Sequence, residues 1–372
     1  MNLLLINYDY PPIGAGAAGA CRSLAESLVT NGQCVSVITA AFKNHKGYSE
    51  EQGVHVYRIQ AFRRYMDWCS VREMFFFLIA ACFSLRKIIQ REKIEKSIIF
   101  YSIPCGPAGL VLKKVFKIPY LISLRGGDVP RHVKSLNLIH SFLAPLRRTI
   151  LRNADHVVAN SESFAELSRR TDPVKVQVIP NGVDTLFFTP QETTGGVFRL
   201  VYAGRFQKEK NISFLIECIR ADKEMYAKKI TLHLVGDGPL RKQILEKIEE
   251  YRLHDMVVCE GWLDKNQLRD LYRRCNCVVN PSFGEGMPNT VLEGMACGLP
   301  SLLSRVRGND AVIIEGKTGY SFGLDDSAEF NMYLKKMMNS RGKTLAMGHY
   351  ARQWVESAFS WHNSARMYID LM

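Results

Sequence analysis

Residues 280–300 read NPSFGEGMPNTVLEGMACGLP. They run a strand end into a glycine-rich loop, a helix start and two carboxylates, Glu285 and Glu293, with seven residues between them. Gly284 and Gly286 flank the first carboxylate, so the backbone there reaches conformations closed to other residues and can lie close to a ligand. Pro288, Asn289 and Thr290 open a helix, whose N-terminus offers unpaired N–H groups and partial positive charge to an anion. Gly298 and Pro300 close it. Free N–H donors beside two acidic side chains suit a ligand that is part phosphate and part polyol. The donors hold the phosphates and the carboxylates accept from hydroxyls.

Outward from this stretch, the second half of the chain alternates strands and helices. A strand at 198–202 leads into Ala203-Gly204-Arg205, then Lys208, Lys210 and Asn211, then a helix at 212–220. A bidentate guanidinium and a compact ammonium on one loop suit a diphosphate, which gains charge as it leaves. A solvated basic loop is the plainer alternative. The strand at 230–235 ends in Gly236-Asp237-Gly238-Pro239. A helix at 240–250, a strand at 256–259 and a helix at 265–274 follow. The strand at 277–279 then feeds the opening stretch. Residues 299–304, 311–314 and 319–322 complete the sheet and its loops, and 354–372 read as closing helices. Glu293 has a second reading, because Thr290-Val-Leu-Glu293 has the form of a capping box. Glu285, between glycines in a loop, has no such role.

The first half follows the same plan. A strand at 3–6, the loop YPPIGAGAAG at 10–19, a helix at 21–28 and a strand at 35–39 form a βαβ unit. Its loop sits at a strand's carboxyl end, where open α/β sheets bind ligands. Gly14, Gly16 and Gly19 have GxGxxG spacing, but no acidic residue follows the second strand as a dinucleotide site requires. The loop either approaches a phosphate or acceptor or is only a tight turn. Further strands lie at 54–59, 98–101, 120–124 and 157–160. The run MFFFLIAACF at 74–83 falls far short of a bilayer span. It reads as a buried helix or as a lipid-touching patch, given Arg63, Arg64, Arg72, Arg86, Lys87 and Arg91 around it. Arg125-Gly126-Gly127-Asp128 follows a strand, a favoured position for chemistry. Its alternative is a turn with an internal Arg–Asp pair. PNGVD at 180–184 is a turn. PQETTGG at 190–196 has the composition of a linker. Two parallel-sheet α/β domains are therefore expected. They are placed at 1–189 and 190–353, with 354–372 returning to the first.

The totals agree with a globular chain: 372 residues, 47% apolar, formal net charge +13. Residues 1–190 hold 24 Lys and Arg against 14 Asp and Glu, and residues 191–372 hold 25 against 22. The basic excess thus belongs to the first half. It points to a membrane surface or lipid phosphate, or to no more than a solvated surface. No aromatic-basic module supports nucleic acid. Ten scattered cysteines without CxxC fit a reduced, cytoplasmic setting. The N-terminus lacks the basic region of a signal peptide.

Taken together, YPPIGAGAAG, VIPNGVD, AGR…EKN, VGDGP, GEGMPNTVLEGMACGLP and the final FSW…ARMY resemble the retaining GT-B glycosyltransferases of the family-4 type, from Tyr10 to the C-terminus. That resemblance implies two Rossmann-like domains facing a cleft and a last helix crossing back. It implies a donor that is a nucleotide diphosphate sugar, UDP- or GDP-linked, with no metal. Glu293 would accept from the ribose. Glu285, with backbone N–H groups of the stretch Gly286 to Asn289, in which Met287 and Pro288 lie, would hold the sugar's hydroxyls. Arg205 and Lys210 would grip the diphosphate, with Thr290 and Val291 adding N–H groups. Gly236, Asp237, Gly238 and the turn after Gly261-Trp262 would shape the nucleotide pocket, and Gly14 and Gly16 would face the donor. Arg205 and Lys210 would stabilise the leaving charge.

In one place the chain departs from the family. Many members carry His where this chain has Arg125 before Gly126-Gly127-Asp128, and Arg cannot act as a base. Arg125 and Asp128 are kept as candidate catalytic residues, with His132 a weaker substitute. The reading expected is a glycosyltransferase acting on a glycan or lipid-linked acceptor in surface polysaccharide assembly (lipopolysaccharide or O antigen), peripheral on the inner face of the membrane. The alternatives are a GT-B nucleotide-sugar epimerase and a non-catalytic sugar-nucleotide-binding protein.

Overall fold

The computed structural model describes residues 1–14, 16–66, 69–131, 136–191 and 196–372. In chain order the elements begin β1 (Asn2–Ile6), α1 (Gly16–Thr30), β2 (Cys34–Ala40), β3 (Gly47–Glu51), β4 (Val54–Ile59), α2 (Val71–Glu92) and β5 (Lys96–Phe100). Next come α3 (Gly106–Val115), β6 (Tyr120–Leu124), α4 (Asn137–Phe142), α5 (Ala144–Asn153), β7 (His156–Ala159), α6 (Glu162–Thr171) and β8 (Gln177–Val178). The second half holds β9 (Phe198–Ala203), α7 (Ile212–Ala221), α8 (Lys223–Tyr226), β10 (Ile230–Val235), α9 (Arg241–Glu250), β11 (Val257–Gly261), α10 (Lys265–Tyr272) and β12 (Cys277–Asn280). It ends with α11 (Asn289–Ala296), β13 (Ser301–Ser304), β14 (Gly319–Phe322), α12 (Ser327–Asn339), α13 (Arg341–Ala358) and α14 (Trp361–Leu371).

These elements form two units: Met1–Gly182 with Trp361–Met372, and Val183–Ser360. The division falls after Gly182 rather than at the expected 190. Phe188 is wholly buried and packs edge-on against Tyr272 at 6.2 Å, so the residues before the proline-rich stretch already belong to the second core. At the other end, α13 stays with the second unit through Ala351 and Val355, and only α14 joins the first.

The first sheet has the order β3-β4-β2-β1-β5-β6-β7-β8. All its pairs are parallel except β3 with β4. Its strands are apolar on both faces because helices cover both. Phe77, Leu85, Leu112 and Ile150 pack on one side and Leu24, Leu28, Ala365 and Tyr368 on the other. The second sheet, β11-β10-β9-β12-β13-β14, is wholly parallel. Strand order reverses between β1 and β5 in the first unit and between β9 and β12 in the second. The carboxyl ends beside such a reversal are where an open α/β sheet leaves room for a ligand.

Of the stretches expected to complete the sheet and its loops, residues 311–314 form a loop: Val312 N–H donates to Asn309 carbonyl, and Val312 is buried as a plug. Two further readings need correction. The run 74–83 is not a buried helix; α2 buries Phe77 and Ala81 and exposes Phe75, Phe76 and Phe83. The capping box at Thr290–Glu293 does not form. The helix starts two residues earlier than that box requires, with Pro288 as N-cap and no side-chain cap bond.

Candidate functional site

The loops after β9 and β12, on either side of the second unit's strand reversal, meet through one ion pair. Lys210 Nζ lies 2.6 Å from Glu285 Oε1. The same oxygen accepts from Asn280 Nδ2 at 3.1 Å and lies 2.7 Å from Ser282 Oγ. Glu285 Oε2 has no partner among the described residues, so the anchored carboxylate keeps one oxygen open. The backbone is held as firmly. Glu285 N–H donates to Arg307 carbonyl at 2.9 Å, and a Cβ on Gly308 would sit 2.2 Å from Glu285 carbonyl. Along the same loop, the N–H groups of Gly284, Gly286 and Met287 donate to no acceptor among the described residues. The helix that follows adds its N-terminal field.

Glu293, in the second turn of α11, is half-buried and makes no hydrogen bond or ion pair among the described residues. Burial pushes its carboxyl up to about 7, opposed by the charge of Lys265. A carboxylate left in that state lacks the hydroxyl or N–H donors that would hold it charged. Its neighbour Thr290 gives its carbonyl to Tyr272 hydroxyl at 2.8 Å. Val291 is buried in the core, and its N–H already donates to Pro288 carbonyl at 3.0 Å, which removes it from the set of free donors. Met287 and Pro288 are likewise buried and shape the loop, while Asn289 opens the helix half-exposed.

Arg205 is exposed at the end of β9. Its loop is fixed by the two glycines after β10. A Cβ on Gly236 would fall 2.0 Å from Gly204 carbonyl, and one on Gly238 would fall 2.7 Å from Phe206 carbonyl. Phe206 N–H donates to Asp237 carbonyl at 2.9 Å. The N–H groups of Gly236 and Gly238 are taken by Gly261 carbonyl and Asp237 Oδ1. Gly236, Asp237 and Gly238 therefore position the Arg205 loop by close packing. Trp262 follows Gly261 and is 78% exposed.

In the first unit, Gly14 and Gly16 part company. Gly14 has φ +88°, its Cβ would meet Asp9 at 2.6 Å, and its N–H donates to Met66 carbonyl. Gly16 starts α1 with open space around it. The RGGD turn holds no Arg–Asp side-chain pair. Asp128 is buried, its oxygens taken by the N–H groups of Ser102 at 2.7 Å and Arg125 at 3.0 Å. It holds the loop's shape instead of facing a substrate. The Arg125 guanidinium donates to Asn181 Oδ1 at 2.6 Å and Tyr368 hydroxyl at 3.3 Å, and lies 4.2 Å above the Phe100 ring. It ties β6 to the PNG turn and to α14. His132 lies outside the described residues.

The family described as Glyco_transf_4 (Glycosyltransferase Family 4) matches residues 14–186, and that described as Glycosyl transferases group 1 matches residues 187–354. The chain belongs to the group 1 glycosyltransferases. Among relatives of this glycosyltransferase is the UDP-Gal:alpha-D-GlcNAc-diphosphoundecaprenol alpha-1,3-galactosyltransferase of Escherichia coli. It is 24% identical over 269 residues, spanning 66% of this chain and 67% of the relative. Sucrose-phosphate synthase from Thermosynechococcus elongatus shares the fold at TM-score 0.82, with 23% identity over 99% of this chain and 97% of that one. HepE of Anabaena, solved with UDP-glucose, shares it at TM-score 0.74, with 15% identity over 99% and 98%. The fold is the GT-B fold.

Sequence reasoning on this glycosyltransferase missed Asn280 and Ser282. Asn280 is buried; its Oδ1 accepts from Ser282 N–H at 3.0 Å while its amide reaches Glu285. The signal was present: an Asn-Pro-Ser sequence directly after a buried strand is the form of an Asx turn. Also missed was Arg63, buried and ion-paired with Asp9 at 2.5 Å rather than exposed among the other arginines.

Proposed function

We propose that the enzyme transfers a sugar from a UDP- or GDP-linked donor to a lipid-linked glycan acceptor, with retention of the anomeric configuration, in the assembly of a cell-surface polysaccharide at the inner face of a membrane. The observation that carries the reading is Glu285. One oxygen is locked by Lys210, Asn280 and Ser282 and the other is open among the described residues, beside three N–H groups that donate to none of them, at a strand reversal. A sugar diphosphate matches that set, with hydroxyls on Oε2 and phosphates on the N–H groups. Lys210 has donors to spare beyond the one given to Glu285, and Arg205 adds a fork-shaped donor. Glu293 would take the ribose hydroxyls and gain the donors it lacks. The UDP-glucose bound by HepE and the diphosphoundecaprenol acceptor of the Escherichia coli relative support the donor and acceptor classes.

In the reaction, the bond from the anomeric carbon to the β-phosphate oxygen breaks and both electrons leave with the nucleoside diphosphate. The acceptor hydroxyl forms its bond on the same face, and its proton passes to the departing phosphate oxygen. Arg205 and Lys210 stabilise the negative charge that builds there. Metal-independent turnover and a peripheral membrane location belong to the same proposal. Among the described residues no helix is long and apolar enough to cross a membrane.

The test pairs a thermal-shift screen of UDP- and GDP-sugars with turnover of Glu285→Ala and Arg205→Ala. A cognate donor at a hundredfold its Kd should stabilise the fold by about 2.7 kcal/mol. Each substitution should lower transfer by roughly a hundredfold or more. Wild-type turnover in both variants would overturn the site, and an inverted product anomer seen by NMR would overturn retention.

A further inference from the structure

The first unit leaves one face of α2 uncovered, and that face is divided along its length. Val71, Phe75, Phe76, Ile79 and Phe83 are exposed over its first turns, with Phe83 84% exposed. Arg86 and Lys87 continue the same stripe toward the C-terminus. Spacings of three and four residues put these positions on one side of a helix, and Arg72 stands among the apolar ones. Among the described residues this exposed stripe carries no Asp or Glu. Glu73 is turned inward, where it accepts from the Ser70 and Arg64 N–H groups.

The apolar part extends beyond the helix. The strap before it exposes Phe62, Tyr65 and Met66, and the Phe62 ring packs edge-on against Phe76 at 5.4 Å. The strap is fastened from below. Arg63 pairs with Asp9 and donates from Nε to Tyr65 carbonyl, and Gly14 N–H donates to Met66 carbonyl. A group resting on this strap therefore bears on the glycine loop at the carboxyl end of β1, beside the strand reversal of the first unit.

We propose that this surface, the 62–66 strap with the outer face of α2, docks onto an anionic lipid bilayer. Aromatic and aliphatic side chains rimmed by cations, with no acidic residue between them among the described residues, complement a surface of acyl chains below anionic headgroups. A second copy of the chain would meet its own cations across such a face. The docking deepens the proposed function and rests on its lipid-linked acceptor, because it sets the glycine loop at the level where that acceptor's diphosphate lies.

The test is flotation with vesicles of phosphatidylcholine alone and with about a third phosphatidylglycerol. It compares the wild type with Phe75→Ser/Phe76→Ser/Phe83→Ser and with Arg86→Glu/Lys87→Glu. The wild type should float with the anionic vesicles and not with the neutral ones. Each variant should bind at least roughly tenfold more weakly while keeping the wild-type melting temperature. Equal binding to both vesicles, or undiminished binding by the aromatic variant, would overturn the proposal. So would a wild-type dimer that the aromatic substitutions convert to a monomer. Nucleotide binding is followed in parallel. Its absence in the wild type counts against the proposed function, whereas intact nucleotide binding without flotation counts against this surface.

Discussion

Glu293 has no hydrogen-bonding partner among the described residues, and burial moves its carboxyl from the usual 4.5 to about 7. Between those values the folded state holds a proton that the unfolded chain has released. Stability should therefore fall as pH rises across that window, by up to about 3 kcal/mol, and level off above it. Nucleotide binding should run the other way, tightening as the carboxylate forms near pH 7 and can accept from ribose hydroxyls. Glu293→Gln should flatten both curves; urea titrations and calorimetry between about pH 5 and 8 read them. A wild-type binding curve flat through this range would remove Glu293 from the nucleotide site. The residue types of this candidate site could be read ahead of the structure, because paired carboxylates, glycines and a Lys/Arg loop suit a ligand that is part phosphate and part polyol; the nucleotide sugar came from the family resemblance. What was not legible is how they are held. The Oε1 clamp on Glu285 depends on Asn280 folding back across a turn, and the loss of Arg125 and Asp128 to structural bonds depends on Asn181, Ser102 and Tyr368, all distant in sequence.

At the scale of elements, glycines with similar sequence settings do different work. Gly236 has φ +129°, and a Cβ there would overlap Gly204 carbonyl at 2.0 Å, whereas Gly16 lies in a helix with nothing within 4 Å. Gly236→Ala should cost about 2–4 kcal/mol and displace the Arg205 loop, so transfer falls along with stability. Gly16→Ala should be neutral or stabilise by up to about 1 kcal/mol, since Ala is the better helix residue. Chemical denaturation of both variants checks the contrast, and equal losses would show that the β9–β10 loop contact yields easily. The parallel strands other than β8 were readable because burial on both faces makes them continuous apolar runs. Strand β3 was not, because an exposed antiparallel edge with the sequence GYSEE carries no such run. Helix α2 stays between two readings, buried or surface patch, for the opposite reason: ten apolar residues in succession hide the 3.6-residue period that separates Phe77 from Phe75 and Phe83.

At the scale of the whole molecule, the first unit is incomplete until the chain has passed through the second and come back. Helix α14 buries Ala365 and Tyr368 in the cluster of Leu3, Leu5, Cys21 and Leu24. Tyr368 hydroxyl lies 2.7 Å from Ser123 Oγ and accepts from Arg125, Ser364 Oγ donates to Pro180 carbonyl at 2.8 Å, and His362 meets Asn31 at 3.2 Å. Local propensity does not reveal this dependence, because α14 would be a helix wherever it packed. Deleting Trp361–Met372 removes a large aromatic plug and leaves the Arg125 guanidinium and the α1 face without their cover. The loss should be about 3–5 kcal/mol, by analogy with emptying a buried aromatic site. It should fall on residues 1–182, although the whole second unit separates the cut from them in sequence. In hydrogen exchange, amides of α1, β1 and β6 should lose protection while those of β9, β12 and β13 keep theirs, because Val183 and Phe359 close the second unit through their own bond at 2.7 Å. Equal loss in both units would mean that they unfold as one cooperative body. Unchanged protection in α1 would mean that α14 contributes little to the first core.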